Sequence, residues 1–268
     1  MPLAPFVVAL VLAVSPSHAA PSDDAAIARE AEELFLEAAR LRDNPTVAQT
    51  LRCQAARRYE LLRQRGIDSA GLERNSGNAW LLAGDLPRAI LAYRRGLKIA
   101  PADTTLQSSL AYARAQVVYS GAAPFARPAA EYCPAWLLHV PVHWQFFFGV
   151  AFYSLGWLLG VRWWMVRRPT LLVLAGGVFF LSAVFVADLA IDEMVLRQEV
   201  KYPLVVISED GVVLHKGNGF SYPRRTDTPL NRGVEARLRF VRGDWLQIEL
   251  ASGLVGWVPR TSVLVDAR

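Results

Sequence analysis

At 268 residues the chain has room for one large or two modest domains, and its net charge of +5 has a local source. Residues 21–141 carry 15 basic and 13 acidic side chains and residues 188–268 carry 11 of each, so Arg162, Arg167 and Arg168 supply most of the excess. Nucleic-acid binding needs basic residues clustered on a folded face, which this balance argues against; two distant cysteines, Cys53 and Cys133, make neither a disulfide framework nor a metal site and read as unpaired thiols.

Met1 to Ala20 reads MPLAPFVVALVLAVSPSHAA. The apolar run Phe6–Val14 is too short to span a bilayer comfortably, and Ser17-His18-Ala19 places small residues where a signal peptidase reads. Residues 1–20 are expected to be a cleaved export signal; the alternative, an uncleaved anchor, follows from the lack of Lys or Arg ahead of the run. Ala25–Arg42 spaces Ala31, Leu34, Ala38 and Leu41 along one helical face, and Asp43-Asn44-Pro45 breaks it. A second helix runs to about Arg65 and stops at Gly66.

The next stretch supplies Glu73-x2-Ser76-Gly77-x2-Trp80, then Gly84-Asp85, Ala89-x3-Tyr93 and Pro101. Except at Glu73 and Ser76, this resembles the tetratricopeptide pattern W-x2-L-G-x2-Y, A-x3-F, P. Gly77 and Ala89 let paired helices approach, aromatic rings fill between them, Gly84 permits the turn and Pro101 ends the second helix. Thirty-four residues earlier only Ala55-x3-Tyr59 recurs. Residues 21–119 are therefore expected to form a tetratricopeptide-repeat domain, about two repeats plus a last helix that Asp103 caps and that reaches about Tyr119. Such a solenoid holds a protein segment, a peptide or a helix, in its groove; a stack this short also suits a spacer or a dimer surface.

Residues 120–141 contain Pro124, Pro128, Pro134 and Pro141, which forbid a continuous helix and read as a linker. Residues 142–161 hold no formal charge and residues 170–191 only Asp188, and both are long enough for a transmembrane helix. Arg162, Arg167 and Arg168 fall in the connection, 162–169, and arginine in short loops stays cytoplasmic. A two-helix transmembrane hairpin then leaves both flanking domains extracytoplasmic, as the export signal also predicts. Residues 192–201 read as a helical stem.

From 202 to 268 the chain changes to short β-prone runs, LVVI, VVLH, VEARLRFV, WLQIEL, LVGWV and SVLV, separated by turn residues. That implies an all-β barrel. Gly243-Asp244-Trp245 and Gly256-Trp257-Val258-Pro259 resemble bacterial SH3-like domains, in which such a turn opens one strand and such a segment leads through a 3₁₀ turn into the last. His215 stands where that family more often has arginine. Trp245 and Trp257 are expected in the core.

The order of export signal, repeats, linker, hairpin and SH3-like tail resembles the BatE-type proteins of the Bacteroides aerotolerance operons, and SGNAWLLAGDLPRAILAYRRGLKIAPADTTLQSSLAYARAQ looks like that family's repeat region. The resemblance implies a bacterial inner-membrane protein working beside von Willebrand-type membrane proteins and a MoxR-type ATPase.

Signs of catalysis are few. Asp188, Asp192 and Glu193 crowd one end of the second span, but a solvated stem accounts for them. His139 and His143 are separated by Pro141, so a shared metal site is not expected. No P-loop, nucleophile elbow, zinc-binding or dinucleotide motif occurs. The expectation is a non-enzymatic scaffold or adaptor without cofactor, contacting proteins and membrane lipid but not nucleic acid; the alternative is an envelope sensor whose barrel grips peptidoglycan.

Overall fold

A computed structural model describes residues 23–41, 43–119, 128 and 142–266, so the export signal, Cys133, His139 and nearly all of the linker lie outside the described residues. The chain begins with five helices, α1 (Asp23–Arg40), α2 (Pro45–Gln64), α3 (Ala70–Leu82), α4 (Leu86–Ile99) and α5 (Thr104–Ala115), each packed on the next. Local chemistry sets their starts. Asn44, Ser69, Asp85 and Asp103 cap α2 to α5 by accepting from backbone N–H groups of Val47, Leu72, Arg88 and Leu106 at 3.1–3.3 Å. Gly66 and Gly84, at φ +87° and +85°, follow α2 and α3, where a left-handed residue ends a helix. Pro101 stands just beyond α4. The last helix stops at Ala115, short of the expected Tyr119, yet Val117 still enters the core.

The residues singled out in the repeat pattern lie where α3 meets α4. The Tyr93 ring would come within 2.5 Å of a Cβ at Gly77, so only glycine admits it. Ala89 and Tyr93 are fully buried and the Tyr93 hydroxyl donates to Asn78 Oδ1 at 2.7 Å. Trp80 is buried beneath the Arg88 guanidinium, 4.7 Å from the ring centroid. Ala55 and Tyr59 are likewise buried in α2.

Two helices follow, α6 (Val142–Val166) and α7 (Pro169–Lys201). His143–Val166 and Pro169–Ile191 are long and apolar enough to cross a membrane, and only 17% and 11% of their most apolar windows are buried, unlike core helices. They pack on each other through small residues: Gly156 lies against the Phe179 ring, and the Ser182 hydroxyl donates to the Gly149 carbonyl at 2.9 Å. One expectation needs correcting. The connection is Arg167-Arg168 alone, because α6 continues through Arg162 to Val166, and Arg167 turns the chain at φ 56°. The stem is helical and ends before Pro203 as expected: it is the last part of α7, which runs unbroken to Lys201, about 50 Å at 1.5 Å per residue.

The last part is an antiparallel sheet of β1 (Leu204–Ile207), β2 (Glu235–Arg242), β3 (Trp245–Leu250), β4 (Val255–Pro259) and β5 (Val263–Val265), ordered β4-β3-β2-β1-β5. A 3₁₀ turn, Arg260–Ser262, joins β4 to β5 as expected. The sheet is open, not a closed barrel. Of the six expected strands, Val212-Val213-Leu214-His215 makes only isolated bridges: Val212 to Leu230, and His215 to Arg224 and Trp257. Gly217, Gly219 and Pro223 follow it closely, and turn residues there leave no length for a ladder. Leu214 nonetheless plugs the core against Gly256, where a Cβ would lie 2.4 Å from it. The core is aliphatic: Val205, Val206, Ile207, Leu214, Leu230, Leu246, Ile248 and Val258. Trp245 and Trp257 are half-buried instead, because strand alternation turns Leu246, Ile248 and Val258 inward and the tryptophans outward.

Candidate interaction site

Helices and sheet share one core. Gly233, at φ +87°, enters so close that a Cβ would meet Val117 at 2.8 Å and Ile90 and Leu86 at 3.3 Å. Around this contact lie two ion clusters. Glu235, the first residue of β2 and 5% exposed, accepts from Arg114 Nε at 2.5 Å and Nη2 at 2.8 Å, with Arg94 Nε 3.6 Å away. Asp266, just past β5, accepts from Arg95 Nε at 2.8 Å and Lys98 Nζ at 2.7 Å. Burial would raise the Asp266 pKa, but the hydrogen bonds from Lys98 and Arg95 outweigh it and hold the carboxylate below its ordinary value. The Asn231 amide also donates to the Val118 carbonyl at 2.9 Å. One partner alone removed from such a cluster leaves a buried charge unpaired, so the clusters fix how the two parts sit.

Arg95 extends this network inward, lying 3.6 Å from Glu60, which itself accepts from Arg63 at 3.0 Å. Beneath it is Glu73, 1% exposed, with neither carboxylate oxygen hydrogen-bonded. Burial pushes its pKa up to about 7; Glu60 and Asp68 add to the rise, and Arg95 and Arg63 oppose it. The Ser76 hydroxyl, 2% exposed, is also without a partner. The two positions that depart from the repeat pattern are thus the buried polar residues left unsatisfied in α3.

The sheet's outer side carries an aromatic groove. Gly243-Asp244 makes the tight turn between β2 and β3, Gly243 at φ +57°, and sets Trp245 opposite Pro259 on β4. The Phe220 ring, 77% exposed, meets Trp245 edge-on at 4.8 Å. His215 holds the arrangement from behind: its Nδ1 donates to the Tyr222 carbonyl at 3.0 Å, and its ring meets Trp245 at 5.5 Å. His215, Phe220, Tyr222 and Pro259, with Glu209 and Asp210, line a groove of about 550 Å³. Trp257 lies further along, with its ring 6.3 Å from exposed Phe240. Such a surface can take an apolar or ring-bearing ligand and a cation beside it.

The structure therefore brings Gly243, Asp244, Trp245, Gly256 and Trp257 together in one hairpin, and Gly77, Trp80, Gly84, Ala89, Tyr93 and Pro101 in another. Arg162, Arg167 and Arg168 lie at the far end of the helical pair. Phe220 and Tyr222 escaped the sequence reading, though two aromatics in a glycine- and proline-rich connection are a signal for them. Glu235 and Asp266 escaped it too; the only hint was the basic run Arg94-Arg95 and Lys98 on one helix. Among the described residues no cluster of His, Cys, Asp and Glu could hold a metal ion. No family model, curated protein or solved structure matches the chain.

Proposed function

We infer that the chain is a non-enzymatic adaptor of the bacterial cell envelope. A short tetratricopeptide solenoid and an SH3-like domain stand together outside an inner membrane that α6 and α7 cross. The observation that carries this reading is the docking: Glu235 and Asp266 fasten sheet and helices into one unit at the end of a continuous α7, and the exposed Phe220 ring, set edge-on against Trp245, lines a groove on the sheet part. A unit so held presents a binding surface at a fixed height and orientation over the membrane. The close approach of Gly77 to Tyr93 and the buried Ala89 support the repeat assignment, and the Gly243 turn and the 3₁₀ turn after Pro259 support the SH3-like one. A peptide or helix would lie in the hollow between α3 and α5, lined by Asn78, Leu81, Leu82 and Tyr112. The BatE likeness supplies the expected partners, von Willebrand-type membrane proteins acting with a MoxR-type ATPase.

Cross-linking in intact membranes tests this. The full chain should capture von Willebrand-type membrane proteins, and Phe220→Ala with Trp245→Ala should abolish the capture. Equal capture by the double variant refutes the groove's role. A second reading has an observation of its own: an aromatic ring as exposed as Phe220 suits stacking on sugar rings, as peptidoglycan binding requires. Retention of the detergent-solubilised chain on purified sacculi, lost in the double variant, would support that reading instead.

A further inference from the structure

A second surface lies where the helices meet the last strand. Between α2, α4 and β5 runs a cleft of about 570 Å³, floored by Leu61, Trp80 and Leu91, with Leu264 and Val265 of β5 as one wall. Two features of this cleft point to the same ligand.

The first is charge. Four arginines line it, Arg57, Arg63, Arg88 and Arg95, against one carboxylate, Glu60. Arg63 and Arg95 are committed to Glu60 and Asp266. Arg88 lies over Trp80, half exposed, with its guanidinium Nη1 on Asp85 Oδ2 at 2.8 Å. Arg57 is exposed and, among the described residues, joins no ion pair. Arg57 thus offers an uncommitted guanidinium and Arg88 a half-exposed one to an acid, above an apolar floor.

The second is backbone. Ser208 N–H donates to the Ser262 carbonyl at 3.0 Å and Asp266 N–H to the Leu204 carbonyl at 2.9 Å, while Leu264 pairs with Val206. Residues 262, 264 and 266 therefore turn their amides and carbonyls toward β1, and Val263 and Val265 turn theirs away. β5 ends the sheet on this side, so the outward row is a strand edge.

We propose that this cleft binds an extended acidic segment of a partner protein, which adds to β5 as a further strand and sets its carboxylates against Arg57 and Arg88. Strand addition supplies affinity through main-chain bonds, and alternate side chains supply selectivity. An acid at every second position would face the arginines, and the residues between them would rest on Leu61 and Leu91. The inference rests on the adaptor reading only in calling for a protein partner. It concerns a surface that neither Phe220 nor Trp245 lines, so the Trp245→Ala variant should bind the segment normally even if the groove proves idle.

The test uses the full chain in lipid nanodiscs and a fluorescent pentapeptide alternating Glu and Val, followed by anisotropy. Three controls accompany it: a Lys-Val peptide, the Glu-Val peptide N-methylated at alternate amides, and inorganic phosphate as competitor. Saturable binding of the Glu-Val peptide, weakened by salt and roughly tenfold weaker with Arg57→Glu, is expected, with none for the other two peptides. Arg57 is exposed, so its substitution leaves the fold intact, and the N-methylated peptide tests the strand edge without any substitution. Equal binding of the N-methylated peptide, or displacement by phosphate at equal charge, would overturn strand addition in favour of a plain anion site. Absence of saturable binding, or self-association of the chain through β5, would overturn the proposal outright.

Discussion

Glu73 allows the sharpest quantitative test. In the unfolded chain its carboxyl titrates near 4.5; in the folded chain burial moves it to about 7. Below 4.5 both states hold the proton and the group contributes nothing to pH dependence. Between 4.5 and 7 the unfolded chain releases it while the folded chain keeps it, so folding stability falls by about 1.4 kcal/mol per pH unit. Above 7 the loss is complete, at about 3 kcal/mol, and stays constant. A raised acid thus acts opposite to a salt-bridged one such as Asp266.

Glu73→Gln keeps the shape and removes the titration. The variant should match the parent at pH 4 and, relative to that baseline, exceed it at pH 8 by about 3 kcal/mol. For a folded unit of this size that is about 6–12 °C in Tm. Thermal unfolding of both proteins in the same detergent across pH 4–9 measures the difference curve, in which all other groups cancel. A flat difference curve would refute the reasoning: it would mean that Glu73 finds a partner on ionisation, with Arg95 or Arg63 turning from Glu60 to meet it.

Three further outcomes are expected. Gly77→Ala drives a methyl into the Tyr93 ring and should destabilise the helical part by about 1–3 kcal/mol, read as a lower Tm; an unchanged Tm would show that α3 and α4 can spread. Arg114→Met should cost about 3 kcal/mol by removing both hydrogen bonds to the buried Glu235 and leaving it only the more distant Arg94, and a double-mutant cycle with Glu235→Gln by denaturant unfolding measures the coupling. A single cysteine placed at Arg168, in a chain lacking Cys53 and Cys133, should react with an impermeant maleimide only from the cytoplasmic side, while one at Phe220 should react only from outside; the reverse pattern would invert the topology.

Local chemistry was legible in the sequence where one residue type suffices for the job. Asp103 caps α5, Gly84 turns the chain, and the apolar stretches become α6 and α7 because each effect acts within a few residues. Legibility failed where partners are distant. Glu73 read only as a mismatch to a pattern, and nothing local says that it is buried under Arg95. Glu235 and Asp266 find their arginines more than a hundred residues away, and evenly mixed charge hides such pairs. The barrel was expected from strand count, but closure depends on how glycines and Pro223 divide the long connection after β1. Trp245 and Trp257 were misplaced because a large apolar side chain suggests a core, whereas the register of β3 and β4 had already assigned the inward positions to leucine, isoleucine and valine.

The docking gives these parts a mechanical order. The sheet follows α7 after only Tyr202 and Pro203, so its direction is inherited from a helix long and apolar enough to cross a membrane. The helical array precedes α6 in the chain, and among the described residues what orients it is the sheet. Arg95 is the common member, touching Asp266 of the sheet and Glu60 of α2 while its charge opposes the rise at Glu73. A change at Glu73 is therefore felt first at the contact that aims the array. The acidic-segment cleft is bounded by these same elements, α2, α4 and β5, so occupying it should tighten the docking. By linkage, the Glu-Val peptide should protect the full chain against unfolding more than it protects Arg95→Gln, in which the docking is already weakened. Equal protection of both would mean that the cleft and the docking contact are independent.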